Sequence, residues 1–327
     1  MVKVASSTFL TGSHLIPTTR RHASKTGQSS DNPLFIVVNE YRGDWATPGV
    51  TLLLTHGTSF CKELWEPLVD FWLRKGSPLP ISVVYALDAA NHGDSGVVNE
   101  KHLGSSTPWP DHSKDILDVV DYLGATKPLI AIGHSFGGGT LAHASTMAPA
   151  IFDATILVEP ILFQMKEQTA AIAKLVMKRR EKWNNLDEAC TAIRDSKGFS
   201  DWTPDQRERY AVFATRTKVD ASGAFRTLKT TKEQESATYL ASPHPDIIDI
   251  LFASHEPHYY IIGGKSAVLN NECQATLHSL GQIHGGTRVI KDGGHLLPMT
   301  HPVELAKILE EVILEAMTRI GNVRAKI

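Results

Sequence analysis

Short apolar segments alternate with longer amphipathic segments along most of the chain. The apolar segments are rich in aliphatic and β-branched residues, as buried strands are. They lie at Val50–Thr55, Ile81–Leu87, 128–132, Ala154–Val158, 259–262 and Thr287–Ile290. The segments between them have the spacing of helices, for example at 62–74, 113–123 and 302–317. This alternation predicts an α/β fold with a mostly parallel central sheet and helices on both faces. Extended stretches around 8–19 and 34–41 predict an antiparallel hairpin at the sheet edge.

The strand pattern stops after Pro160 and resumes only near Pro257. The intervening sequence includes QMKEQTAAIAKLVMKRREKW and PDQRERYAVFATRTK, which have a helical pattern. We therefore expect residues 161–244 to form a helical cap inserted between two parts of one core, 1–160 and 245–327.

One face of the first helix in this inserted segment carries Met165, Ile172, Val176 and Trp183. Such a face either lines a substrate pocket or packs on the core. Of these two roles, packing on the core is the more common one for such a face.

Composition and charge exclude several classes of protein. The chain has 327 residues, of which 42% are hydrophobic, and this suits a soluble globular core. The balance of 33 Lys and Arg against 35 Asp and Glu predicts no basic surface for nucleic acid. No apolar run is long enough for a membrane span, and the N-terminal segment lacks the apolar region of a secretory signal. The three cysteines form no CxxC pair, so we expect neither a disulfide framework nor a thiolate metal site.

The motif GHSFGG at 133–138 carries the strongest chemical signal. It follows an apolar strand and precedes a helix-forming stretch, so Ser135 must lie on a sharp turn between the two. Gly133 and Gly137 remove side chains that would collide at such a turn, which leaves the serine hydroxyl exposed above the sheet. This context favours Ser135 as a nucleophile over a serine of a structural turn.

A serine nucleophile needs a base within hydrogen-bond distance and a third group that orients the base. His295 lies in a Gly-rich loop, VIKDGGHLLPMTHP, between the final strand and the last helix, which is where such a base is delivered. His301 begins the following helix and fits a capping or surface role. His134 precedes the nucleophile, but its side chain should point away from the hydroxyl and pack.

The orienting acid is less obvious. The loop after strand 259–262, a common place for such an acid, contains Lys265 and Ser266 instead of a carboxylate. Glu159 stands directly after the strand Ala154–Val158, so we assign it as the orienting acid, with a local capping role as the alternative. Asp292 and Glu272 are the two nearest rivals.

A tetrahedral intermediate requires backbone N–H donors for its oxyanion. One donor should be Phe136, which follows the nucleophile. The second should come from the loop LTHGTSFCKELW, in which Thr58 is our first choice and Phe60 our second. The turn ALDAANHGDSG, with Asp88 and His92, should brace the nucleophile loop.

These motifs together resemble the α/β-hydrolases along nearly the whole chain. The narrower resemblance is to fungal peroxisomal hydrolases, which include toxin-biosynthesis hydrolases, polyketide acyl-CoA hydrolases and a peroxisomal lipase. It rests on THGTSFCKELWEPL, GHSFGG, the acid in LVEPI and the C-terminal tripeptide. The resemblance implies hydrolysis of a small-molecule acyl ester or acyl-CoA thioester in secondary metabolism. We expect no metal and no cofactor.

The sequence ends in Ala325, Lys326 and Ile327, which resembles the small-basic-aliphatic tripeptide that the peroxisomal import receptor binds. We therefore expect this receptor as a partner and the peroxisome as the location, with the cytoplasm as the alternative. The alternative interpretation is that these three residues are only the solvated end of a helix.

Several functions remain open at this stage. Ser135 excludes dehalogenases and epoxide hydrolases of the same fold, because these need a carboxylate nucleophile. A catalytically silent ligand-binding protein, a lipase or esterase of general lipid metabolism, and a lyase or cofactorless oxygenase are alternatives. Five basic residues of the inserted segment either meet CoA phosphates or form a solvated face, which is the usual meaning. They are Lys174, Lys178, Arg179, Arg180 and Lys182.

Overall fold

The apolar segments of the sequence form strands of an eight-stranded sheet, and the last of them, Thr287–Ile290, lies at its edge. A computed structural model describes residues 4–23, 29–43, 48–221 and 223–324. The C-terminal tripeptide 325–327 lies outside these ranges, so its role stays a prediction. Within these ranges, no helix combines the length and the apolar character that crossing a membrane requires.

The sheet has the strand order β1-β2-β4-β3-β5-β6-β10-β11. In chain order the strands of the protein are β1 (Leu10–Ala23), β2 (Ser29–Tyr41), β3 (Val50–Thr55), β4 (Ile81–Leu87), β5 (Leu129–His134), β6 (Ala154–Val158), β7 (Lys182–Trp183), β8 (Thr215–Asp220), β9 (Gly223–Leu228), β10 (His258–Gly263) and β11 (Thr287–Ile290). From β4 to β11 the neighbouring strands of the large sheet are parallel. Strand β2 pairs antiparallel with β1 and β4, which confirms the predicted edge hairpin.

The helices connect these strands and cover both faces of the sheet. They are α1 (Glu66–Leu73), α2 (Gly93–Val98), α3 (Trp109–Leu123), α4 (Phe136–Met147), α5 (Lys166–Lys178), α6 (Leu186–Arg194), α7 (Pro204–Phe213), α8 (Lys232–Leu240), α9 (Ile247–Ala253), α10 (Asn271–Ile283), α11 (Leu297–Thr300) and α12 (Pro302–Arg324). The predicted helix 62–74 opens as a 3₁₀ turn before α1 begins. Helix α3 begins four residues before its predicted start, because Pro110 fits the first helical turn.

The central strands are buried on both faces, which explains their continuous apolar sequences. In β3, Leu53 packs with Ile116 and Leu141 on one side of the sheet. Leu52 and Leu54 belong to the opposite side. Two apolar layers therefore hold the strands in register, and their carboxyl ends share one edge of the sheet.

Residues 161–244, hereafter the insertion, lie between β6 and α9 and contain more than helices. Four helices, α5 to α8, are accompanied by a three-stranded antiparallel sheet in the order β7-β9-β8. The expectation of a purely helical segment was therefore wrong. Helix α7 ends at Phe213, and the following residues alternate with β-branched Thr215, Thr217 and Val219, as a strand requires. Gly223, with φ of 116°, lies at the start of β9 and permits the tight return of the chain.

Candidate active site

Ser135 lies on the turn that joins β5 to α4. Its backbone has φ of 56° and ψ of −117°, a conformation that non-glycine residues rarely adopt. A Cβ at Gly133 would lie 2.6 Å from the Gly137 carbonyl oxygen, and a Cβ at Gly137 would lie 2.5 Å from the His56 carbonyl oxygen. Both positions must therefore be glycine, because the neighbouring backbone leaves no room for a side chain.

Ser135, His295 and Glu159 form one continuous line of hydrogen bonds. The Ser135 Oγ lies 2.9 Å from His295 Nε2. On the other side of the ring, His295 Nδ1 lies 2.9 Å from Glu159 Oε2. A carboxylate can only accept, so Nδ1 carries the proton and Nε2 is free to accept the serine proton. The geometry is that of a nucleophile, its base and an orienting acid.

Glu159 is fully buried directly after β6, with a positive φ of 46°. Its carboxylate accepts three hydrogen bonds, because the Gly263 N–H donates to Oε1 at 2.6 Å and the Ser266 hydroxyl donates to Oε2 at 2.6 Å, beside His295. A buried carboxylate needs such donors, since an unpaired one would be very costly. Ser266 thus occupies the loop where a carboxylate was sought in the sequence, and it binds the acid that comes from the neighbouring strand.

The two rival carboxylates lie elsewhere. Asp292 is 72% exposed and pairs with Lys265 at 2.6 Å on the surface. Lys265 also lowers the pKa of Asp292 by hydrogen bonding and by its charge. Glu272 is an exposed residue in the first turn of α10. Of the three candidate acids, only Glu159 contacts His295 in the described structure.

His134 has a contact that its sequence position did not reveal. Its Nε2 donates to the His295 carbonyl oxygen at 2.9 Å. Burial and the neighbouring His295 lower the pKa of His134 to about 3, so the ring is neutral at physiological pH. The sequence predicted only a packing role for this side chain, but it anchors the loop that carries His295. The signal that could have found this role is a histidine at the last position of β5, directly before the nucleophile.

The loop after β3 supplies a candidate second oxyanion donor. The Phe60 N–H donates to the Gly57 carbonyl oxygen at 3.3 Å, and the Ser59 N–H donates to His92 Nε2 at 3.1 Å. By contrast, the backbone N–H groups of Thr58 and Phe136 have no acceptor among the described residues. Both residues line the cavity that also contains Ser135.

The turn after β4 braces mainly the loop 56–59 and not the nucleophile loop that the sequence suggested. His56 Nδ1 donates to the Gly57 carbonyl oxygen at 2.8 Å, and His56 Nε2 accepts from the Ala89 N–H at 3.1 Å. His92 accepts from Ser59, as described above, and its ring stacks on Phe136 with centroids 6.1 Å apart. Burial lowers the pKa of both imidazoles, so they act as neutral hydrogen-bonding groups.

Three acidic side chains beside this turn, Glu63, Asp88 and Asp94, lie close enough together to hold a cation. The ammonium of Lys62 fills this role, because its Nζ lies 2.7, 2.9 and 2.6 Å from their respective carboxylates. Burial opposes the charge of Lys62, but the surrounding carboxylates outweigh it and raise the pKa well above its usual range. A cation from the chain itself thus lies among the three carboxylates, and Lys229 adds a second positive charge at Asp94.

A cavity of about 370 Å³ opens above Ser135 between the core and the insertion. Its walls are mainly apolar, and they include Trp109, Ile161, Met165, Ile172 and Val268. Met165 and Ile172 therefore line a pocket, whereas Val176 on the same helix is buried in packing. Trp183, which the sequence pattern placed on the same helical face, lies outside α5 in β7. The rest of this face both lines the pocket and packs in the core.

The basic residues near the end of α5 have different surroundings. Lys174 and Lys178 are exposed, and Arg180 pairs with Glu188 on the surface. Arg179 instead forms an ion pair with the buried carboxylate of Glu235. Most of this charge is therefore solvated, and Arg179 is the exception.

The chain is similar in sequence to several fungal proteins. It is 30% identical over 167 residues to the type I acyl-CoA thioesterase mpaH' of Penicillium brevicompactum, which is 49% of this chain and 38% of that protein. It is 25% identical over 220 residues to the abhydrolase domain-containing protein AFT2-1 of Alternaria alternata, which is 57% of this chain and 83% of that protein. The chain thus spans well under half the length of this thioesterase.

The structure is similar to that of the peroxisomal alpha-beta-hydrolase Lpx1 of Saccharomyces cerevisiae. The TM-score is 0.78 over 94% of this chain and 88% of that chain, with 20% sequence identity, so the likeness concerns the fold. A family model described as the alpha/beta hydrolase family matches residues 52–308. The chain therefore belongs to the alpha/beta hydrolase family.

Proposed function

We propose that this protein is a serine hydrolase that cleaves an acyl ester or an acyl-CoA thioester through a covalent acyl-enzyme. The observation that carries the proposal is the line of hydrogen bonds from Ser135 through His295 to Glu159, with its serine end at the floor of the cavity. In this proposal Ser135 is the nucleophile, His295 the general base and Glu159 the acid that orients it.

The proposed reaction has two halves. The Ser135 oxygen attacks the acyl carbonyl carbon while His295 Nε2 takes the hydroxyl proton, and Glu159 stabilises the imidazolium. The N–H groups of Phe136 and Thr58 donate to the oxyanion that forms. The tetrahedral intermediate then collapses, and the alcohol or thiol leaves with the proton from His295. Water, activated by the same histidine, releases the acid from the acyl-enzyme and restores Ser135.

The cavity supports an acyl group as the part of the substrate that is enclosed. Its volume of about 370 Å³ and its apolar walls suit a small organic acyl chain. We propose that the insertion acts as the cap over this pocket and sets its specificity through Met165 and Ile172. The thioester alternative draws support from the name of the Penicillium relative, an acyl-CoA thioesterase. We also propose a role in fungal toxin or polyketide biosynthesis, which is supported by the resemblance to that group of hydrolases.

The proposed location is the peroxisome, through binding of residues 325–327 by the import receptor. Its support is the sequence of the tripeptide and the similarity to Lpx1, which is named as a peroxisomal protein.

Two measurements test the proposed function. A fluorophosphonate probe should label the wild-type protein with one adduct on the peptide that contains Ser135, and the label should be absent from Ser135→Ala. Turnover should then be compared for acyl-CoAs and the matching ethyl esters of the same acids, with release of thiol or acid as the readout. A protein that is not labelled and that hydrolyses neither series would overturn the proposal and leave a ligand-binding role.

A further inference from the structure

Ser59 forms hydrogen bonds to both the core and the insertion. It has a positive φ of 78°, an unfavourable conformation for a residue with a side chain. Its N–H is held by His92 of the core at 3.1 Å. Its hydroxyl is held by the insertion, because it donates to Glu235 Oε1 at 2.5 Å and lies 3.1 Å from the Tyr239 hydroxyl. A residue in a strained conformation persists only when its surroundings hold it in place.

The two partners of the Ser59 hydroxyl lie one turn apart on α8. Residues four apart on a helix face the same way, so Glu235 and Tyr239 reach Ser59 together. Burial raises the pKa of Tyr239 to about 12, so its hydroxyl keeps its proton. Since Ser59 donates to Glu235, its oxygen is free to accept from Tyr239. The Ser59 hydroxyl therefore has both an acceptor, Glu235, and a donor, Tyr239.

Glu235 carries a charge that is almost completely buried, and Arg179 compensates for it. The guanidinium of Arg179, at the end of α5, donates to both carboxylate oxygens of Glu235, with Nη1 at 3.0 Å from Oε1. This ion pair ties α5 to α8, the two helices of the insertion nearest the cavity. Glu235 also accepts from the Ser59 hydroxyl, so the insertion and the loop after β3 share a single polar network.

We propose that Glu235 is a positioning residue. Through Ser59 it fixes the loop 56–59 and thereby directs the Thr58 N–H towards the reacting carbonyl oxygen. Ser59 follows Thr58 directly, so a loss of its hydroxyl contact frees the peptide plane next to the donor. Glu235 and its partner Arg179 both belong to the insertion. The oxyanion site is therefore complete only when the insertion lies closed on the core. This inference rests on the proposed function, because it assigns a role in the same reaction.

The test compares Glu235→Ala with Glu233→Ala, because a glutamine at 235 would keep an oxygen that can accept from Ser59. Glu233 lies on the same helix and is exposed, so its variant removes an equal charge without touching Ser59. With p-nitrophenyl butyrate as the probe, Glu235→Ala should lower kcat by roughly 10- to 100-fold with little change in KM, since loss of one oxyanion donor costs about 10²- to 10³-fold. The control should keep the wild-type kcat.

Ser59→Ala tests the same contact from the other side and leaves the Arg179–Glu235 pair in place. It should lower kcat to a similar extent, and the double variant with Glu235→Ala should lose no more than the worse single variant, because both changes remove the same Ser59–Glu235 hydrogen bond. If Glu235→Ala does not fold, Ser59→Ala carries the test. Additive losses, or unchanged kcat in Ser59→Ala, would overturn the inference.

A trifluoromethyl ketone separates positioning from a general loss of structure. It forms a tetrahedral adduct whose oxyanion uses the same donors, so its affinity should fall in step with kcat/KM across these variants. Equal affinity in Glu235→Ala and Glu233→Ala, with a wild type that is labelled at Ser135 and active, would refute the positioning role alone. A wild type that is neither labelled nor active would overturn the proposed function and this inference with it.

Discussion

Replacing Glu159 by glutamine should disable the proposed base while leaving the fold intact. The carboxylate accepts from the Gly263 N–H, the Ser266 hydroxyl and His295 Nδ1. A glutamine offers one oxygen and one NH₂ group. The backbone N–H of Gly263 cannot turn away, so it keeps the oxygen, and the NH₂ group then faces Ser266 and His295. The serine hydroxyl can rotate and accept, but an imidazole N–H cannot accept.

The His295 ring must therefore change its tautomer in Glu159→Gln. With the proton on Nε2, the ring can no longer accept the Ser135 proton across the 2.9 Å contact. We expect kcat to fall by about a thousandfold or more, as amide replacement of such an acid does in other hydrolases. At about 1.36 kcal/mol for each factor of ten, this is about 4 kcal/mol of lost transition-state stabilisation.

The assay is steady-state hydrolysis of a p-nitrophenyl ester, with thermal unfolding measured on the same samples. Asp292→Asn and Glu272→Gln are matched controls, because each neutralises an exposed carboxylate away from the His295 ring. Both should stay within about threefold of wild type, as surface changes distant from a site usually do. A larger loss of activity in either control than in Glu159→Gln, at equal thermal stability, would show that the acid is misassigned.

Three further predictions concern the nucleophile, the tail and the pH dependence of stability. Ser135→Ala should abolish hydrolysis without unfolding the protein, and activity above roughly a hundredth of wild type would contradict the nucleophile assignment. A fluorescent protein fused to the N-terminus should give peroxisomal puncta that disappear when 325–327 is deleted, and diffuse fluorescence of the intact fusion would refute the targeting role. Burial and a neighbouring histidine lower the pKa of both His134 and His258 to about 3. Because the unfolded chain binds more protons below pH 6.5, the free energy of unfolding should fall as the pH decreases from 6.5 towards 3, by about 2 kcal/mol per histidine at pH 5. In urea unfolding of His258→Asn, the free energy of unfolding should decrease between pH 7 and pH 5 by less than in the wild type, and the difference should equal this amount. A decrease equal to that of the wild type would contradict the lowered pKa of His258.

The three residues of the proposed triad could be located in the sequence because each follows the carboxyl end of an apolar strand. Parallel strands end on one edge of a sheet, so Ser135, Glu159 and His295 had to lie near one another. Their supporting contacts could not be predicted in this way. Ser266 binds a carboxylate 107 positions away, and Glu235 binds a hydroxyl 176 positions away. Such pairs depend on how loops and helices pack, which leaves no periodic signal in the chain.

The insertion was the part of the fold least accessible to sequence patterns. Its strands are short, and residues 215–220 mix β-branched and charged side chains next to a helix of similar polarity. The helical pattern of α7 was therefore extended too far. The long apolar strands of the core have no such ambiguity, because burial on both faces requires an unbroken apolar sequence.

The position of the insertion has an evolutionary consequence. Strands β6 and β10 are parallel neighbours, so the chain must in any case cross from the end of one to the start of the other, and α9 provides the return. Residues 161–244 lengthen a connection that the sheet already requires. A gene copy can therefore accumulate substitutions, insertions and deletions in this stretch without shifting the strand register, and lineages can acquire new substrate preferences while inheriting the same chemical machinery.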